Sequence, residues 1–208
     1  MKKFSAAIIA IALVSVIFIF SKCSGNNSNG DENKKDTTTV SNAAFGGFDS
    51  QVKWGAHLVT IGGCNDCHTP KKMTSQGPVF DVALTLSGHP SQIPAPDVNR
   101  KEMESKGLIV TSDLTAWVGP WGISYAANIT SDSTGIGSWK EDQFILCIRE
   151  GKWMGVTDGR PLLPPMPWQV IRNMTDDELK AVFAYLKSTK PIHNVVPMVQ
   201  PPLVAMKK

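Results

Sequence analysis

Cysteine is scarce in this chain, with four in 208 residues, and so are runs of like charge: no Lys/Arg-rich stretch occurs anywhere. With a formal net charge of only +3, the absence of a basic cluster excludes the electrostatic footprint of a nucleic-acid-binding protein. There is no internal repeat, and no sustained alternation of apolar and polar residues, which leaves no signal for a solenoid or a β-sandwich. What remains is a chain with 42% hydrophobic residues, long enough for one good core and short for two. A single domain with appendages is expected, and its class is all-α.

A long apolar run occurs only at the N-terminus. Lys2 and Lys3 precede residues Phe4 to Phe20, a charged start followed by an apolar stretch of the kind that directs export, so the mature chain is expected outside the cytoplasm, periplasmic in a bacterium. As a helix these residues would span about 26 Å, close to the thickness of a hydrocarbon core. Cys23 follows, as in a lipoprotein signal, although Lys22 stands where such signals carry a small residue. Lipidation at Cys23, an uncleaved anchor and ordinary cleavage all stay open. Residues 24–42 turn to Ser, Asn, Gly, Asp, Lys and Thr, and read as a flexible tether. The boundaries implied are 1–23 for the signal or anchor, 24–42 for the tether, 43–196 for the folded domain and 197–208 for an irregular tail.

Three helices can be read inside the domain. Trp54, Leu58 and Ile61 make one stripe that leads into Cys64. Ser138 stands before Trp139-Lys140-Glu141 at capping-box spacing, and Phe144, Cys147 and Ile148 share a face until Gly151. Thr175-Asp176-Asp177-Glu178 repeats the capping pattern ahead of Leu179, Val182, Phe183 and Leu186, with Pro191 ending the run. Between Pro70 and Tyr125 prolines and glycines interrupt every period except a short helix around Arg100 to Lys106; a loop region of this length is expected to wrap a ligand.

The stretch "GGCNDCHTPKK" carries the chemistry. Two cysteines at i and i+3 on a helical turn, with a histidine at i+4, place Cys64, Cys67 and His68 on one face. That arrangement suits haem, with two thioethers to the porphyrin edge and an imidazole to the iron. A structural zinc site lacks two further ligands at comparable spacing, a redox dithiol lacks its α/β setting, and a plain disulfide remains the third alternative. For the sixth position Met166 leads: in "RPLLPPMPW" Pro164, Pro165 and Pro167 restrict the backbone around a thioether that must be held rigidly. Met154 is the reserve, and His57, His89 and His193 are the bis-histidine alternative. Cys147, on an apolar helix face, reads as a small buried hydrophobe.

Together the pieces "GAHLVTIGGCNDCHTP", "GISYAANITSDSTGIGSWKEDQF", "REGKWMGVTDGRPLLPPMPW" and "MTDDELKAVFAYLKS" resemble a bacterial class I monohaem c-type cytochrome, of the kind found as electron-transfer subunits beside dehydrogenases. The resemblance runs from about Trp54 to Pro191. It implies a helical domain clamping one haem c, with Cys64 and Cys67 as thioether residues, His68 as proximal and Met166 as distal ligand, and Asn128 near the haem rim. Many relatives carry an aromatic where His57 stands, and the loop after His68 is longer than in compact members. The first and last helices would cross, with Gly55 and Ala56 against Phe183 or Leu186. Some of Trp117, Trp121, Trp139, Trp153 and Trp168 would wall the pocket, and Arg149 and Arg160 are candidates to pair with propionates or are plain surface charges. The implied role is a tethered electron carrier between an upstream dehydrogenase or membrane complex and a downstream oxidase or reductase. A haem-based sensor and a peroxidase-like enzyme with a displaceable sixth ligand are the competing classes.

Overall fold

The computed structural model describes residues 43–207. The apolar N-terminal run, Cys23 and the polar residues 24–42 lie outside the described residues. Among the described residues, no helix is long and apolar enough to cross a membrane.

The first helix, α1 (Gln51–Ile61), starts at Ser50, whose hydroxyl accepts from the Lys53 N–H, and buries Gly55, Leu58 and Val59. Ile61, expected on the same stripe, is 65% exposed. The last helix, α6 (Asp176–Ser188), opens with the expected capping box: Thr175 Oγ1 accepts from the Glu178 N–H at 3.2 Å and Glu178 Oε2 accepts from the Thr175 N–H at 2.7 Å. Leu179, Ala181, Val182, Phe183 and Leu186 form its buried face. These two helices make the most extensive contact between any two elements described.

Their closest approach is at Gly55. A Cβ there would sit 1.9 Å from the Ala181 carbonyl oxygen and 2.8 Å from Tyr185 Cβ. The partners are therefore the Ala181 backbone and the Tyr185 Cβ, where Phe183 or Leu186 was expected, because only main-chain and Cβ atoms fit against a bare Cα at this spacing. Gly55→Ala is expected to destabilise the protein by at least about 3 kcal/mol, since the obstacle is backbone that cannot rotate away. Urea unfolding of the two proteins measures this, and a loss below about 1 kcal/mol would contradict the crossing geometry.

Two short helices, α2 (Cys64–His68) and α3 (Arg100–Lys106), precede α4 (Glu141–Glu150), and α5 (Trp168–Ile171) precedes α6. The helix α4 begins two residues later than the Ser138 pattern suggests: Trp139 N–H closes a turn onto the Ile136 carbonyl instead, and Trp139 packs on the core. Phe144, Cys147 and Ile148 are buried as expected, and Phe144 meets Phe183 of α6 with ring centroids 5.3 Å apart. Gly151 ends α4 at φ 60, and a Cβ on it would strike the Trp168 ring at 2.5 Å.

The stretch read as loop carries strands as well as α3. The strands β1 (Lys71–Thr74) and β2 (Gly77–Phe80) form an exposed antiparallel hairpin. A second antiparallel sheet has the order β3 (Val110–Thr111), β4 (Ala116–Gly119), β5 (Gly122–Tyr125), with β4 buried throughout. The C-terminal segment joins this sheet. Gln200 exchanges two backbone hydrogen bonds with Ile123 at 2.8 and 3.0 Å, and Arg100 of α3 donates to the Gln200 side chain and the Pro201 carbonyl.

Candidate haem site

A left-handed turn at Gly63, φ 66, separates α1 from α2 and sets the direction of the second helix. Over its five residues Cys64, Cys67 and His68 fall at i, i+3 and i+4, which places the two sulfurs and the imidazole on one face. Both thiols are free and half-buried, and Cys64 packs against the main apolar cluster of α1, α4 and α6. Burial pushes the Cys64 thiol up to about 11 and raises that of Cys67, where Lys71 works in the opposite direction. Such thiols lack the stabilised thiolate that a redox dithiol uses.

The His68 ring is buried. Its Nδ1 lies 2.7 Å from the Ala127 carbonyl, which can only accept, so Nδ1 carries the proton and Nε2 keeps its lone pair. Among the described residues no hydrogen bond reaches Nε2. Burial lowers the affinity of the ring for a second proton more than the carbonyl raises it, and Lys71 adds to the lowering, which favours the neutral imidazole. A neutral imidazole, fixed through one nitrogen and open at the other, is the arrangement of a metal-ligating histidine.

Among the described residues, no three His, Cys, Asp or Glu side chains gather closely enough to hold a bare metal ion. The free thiols and the imidazole nitrogen thus suit a planar group that touches them at separate points. The donor set fits a covalently attached haem.

Met166 is half-buried and packs against the same apolar cluster as Cys64. Its loop is pinned to the second sheet: Trp121 Nε1 donates to Ser124 Oγ at 2.9 Å, and Ser124 Oγ donates to the Pro164 carbonyl at 2.7 Å. A hollow of about 200 Å³ lies beside it, lined by Leu162, Pro164, Pro165, Met166, Pro167, Trp168 and Gln169. This hollow does not extend to His68. The two candidate axial residues are held by separate contacts.

The alternatives fare differently. Met154 is 46% exposed on a surface turn. His57 is exposed and stacks on Phe48 at 4.9 Å. His89 is buried, but both ring nitrogens are engaged, Nδ1 with Thr115 Oγ1 and Nε2 with the Ile93 carbonyl, each at 2.7 Å. His193 is exposed, 3.5 Å from Asp132. Arg149 is taken up by Asp176 at 2.6 Å, which holds the Asp176 carboxyl below the usual carboxylate range, and Arg160 stacks on Trp153 at 4.2 Å. Cys147 is buried, and its thiol is pushed up to about 11 by that burial.

Three residues around His68 escape a reading by spacing. The Gly88 N–H donates to the His68 carbonyl at 2.8 Å, and a Cβ on Gly88 would lie 2.5 Å from both the Ala126 oxygen and the Ala127 carbonyl carbon. Ala127 supplies the carbonyl to Nδ1. Asn194 binds the backbone on both sides of Gly88. Asn128, placed near the site by resemblance, is buried and bonded to Thr130, Thr134 and the Ile192 carbonyl.

No family model matches the chain. It is 36% identical over 151 residues to the cytochrome c subunit of alcohol dehydrogenase (quinone) from Gluconacetobacter polyoxogenes, an alignment covering 72% of this chain and 23% of that protein. It is 28% identical over 153 residues to the gluconate 2-dehydrogenase cytochrome c subunit of Pantoea cypripedii, covering 73% and 25%. Over 85 residues it is 35% identical to the fructose dehydrogenase cytochrome subunit of Gluconobacter japonicus, covering 40% and 17%. The chain is related to the cytochrome subunits of dehydrogenases. It spans about a quarter or less of the length of these relatives.

Proposed function

We propose that this chain is a one-electron carrier outside the cytoplasm, holding one covalent haem c between His68 and Met166 and receiving electrons from a dehydrogenase. The observation that carries the reading is the buried His68, tied at Nδ1 to the Ala127 carbonyl with its Nε2 open, on the same helix face as two free thiols. Kinship with cytochrome subunits of fructose, gluconate and alcohol dehydrogenases supports the role and the kind of donor.

The haem, when bound, supplies a ferric/ferrous couple. Cys64 and Cys67 would hold it covalently, and the Ala127 carbonyl, by fixing Nδ1, would leave Nε2 of His68 to ligate it. Met166 would supply the second ligand, a thioether that favours the ferrous state. The helices α1 and α6 form the scaffold of a helical, cytochrome c-like domain, with the segment between α2 and α4 wrapped against it. The leader with Lys2, Lys3 and the apolar run, lipidated at Cys23 or left uncleaved, would tether the domain to a membrane. Downstream, an oxidase or reductase takes the electron.

If His68 and Met166 both held the group, they would leave no ligand position on it for a substrate. The reduced holoprotein is expected to leave carbon monoxide unbound, and the ferric form to be unchanged on brief exposure to peroxide. Rapid binding of either, followed by absorption spectroscopy, would support a peroxidase-like enzyme or a gas sensor instead.

A further inference from the structure

The chain beyond α6 does more than cover the sheet. Two backbone groups touch His68, the Gly88 N–H and the Ala127 carbonyl, and they belong to different loops. The loops are joined by the His89 N–H, which donates to the Ala126 carbonyl at 2.9 Å. Asn194, from the C-terminal segment, brackets the first loop: its Nδ2 donates to the Ser87 and His89 carbonyls at 2.7 and 2.8 Å, and its Oδ1 accepts from the Ser91 N–H at 3.1 Å. Asn128 fixes the second: its Nδ2 donates to the Ile192 carbonyl at 2.8 Å, and its Oδ1 accepts from the Thr130 N–H and hydroxyl at 3.0 and 2.8 Å.

The two asparagines meet at Thr134. Its Oγ1 accepts from Asn128 Nδ2 and from the Asn194 N–H, each at 3.0 Å, and donates to Asp132 Oδ1 at 2.6 Å. A hydroxyl offers one donor and two acceptor sites, so Thr134 is saturated, and both asparagine amides use donors and acceptor alike. A network this fully satisfied, with Asn128 buried at its centre, has one low-energy arrangement.

We infer that Asn194, Asn128 and Thr134 are positioning residues for His68, and that the segment after α6 acts through them as a clamp that sets the strength of the Nδ1–H···O=C bond. The inference rests on the reading of His68 as an axial ligand. A carbonyl on Nδ1 raises the basicity of the imidazole and so favours the ferric state. Loosening the clamp weakens that bond and shifts the couple toward ferrous.

The test is redox titration of the holoprotein with Asn194→Ala and with Thr134→Val, beside Arg100→Ala. The first two are expected to change the ferrous-to-ferric equilibrium ratio threefold to tenfold in favour of ferrous, tenfold being about 59 mV for one electron. Arg100→Ala frees the far end of the segment from α3 without touching the clamp, so it lowers the melting temperature and leaves the potential unchanged. If Asn194→Ala does not fold, the near-isosteric Thr134→Val carries the test alone. Unchanged potentials in the clamp variants, whatever their melting temperatures, would overturn the inference. A wild-type chain that takes up no haem would instead refute the underlying function.

Discussion

Replacing Cys64 and Cys67 together by alanine yields a polypeptide from which acidified organic solvent strips every trace of haem, while the wild-type chain keeps its colour through the same extraction. The expectation follows from α2: both thiols are free, three residues apart on one turn, and on the face that also presents His68. Each single replacement leaves one bond and therefore retained colour. In the double variant only the coordinate bonds from His68 and Met166 would remain. Acid breaks the first by protonating the imidazole, while the thioether alone is too weak a ligand to resist extraction. Extractable haem is measured in the solvent phase. Solvent-resistant colour in the double variant would remove both cysteines from the account.

Met166→Ala is expected to erase the sulfur-to-iron charge-transfer band of the ferric protein, to open the site to imidazole and carbon monoxide, and to lower the reduction potential, because the thioether's preference for ferrous iron is lost. The fold survives: Met166 is only half-buried, and the Trp121–Ser124–Pro164 relay that pins its loop does not involve its side chain. Met154→Ala changes none of these properties, since Met154 lies exposed on a surface turn. Absorption spectra and a redox titration of the two variants decide the matter. A band that persists without Met166 and vanishes without Met154 would exchange the two assignments.

The parts of this molecule that can be read from sequence are those whose physics is local. The Cys-x-x-Cys-His spacing, the Thr175–Glu178 capping box and the apolar face of α6 each lie within a few turns of one helix. The strands leave no such trace. β1 and β2 are largely exposed and β4 is buried on every residue, so none alternates, and at four residues each they are too short for periodicity to register. The start of α4 shifts because the Trp139–Ile136 turn competes with the Ser138 cap. The surroundings of His68 are hidden for another reason: Ala127 is 59 residues away and acts through its carbonyl, so its side chain carries no signal. Asn194 acts across more than a hundred residues, on backbone groups of Ser87 and His89.

Intact-mass measurement on the mature wild-type chain, secreted by a host with cytochrome maturation machinery and then fully denatured, tests the claim on which all else depends. The account predicts a coloured polypeptide heavier than its own sequence by one haem. A colourless product at the bare polypeptide mass would contradict it.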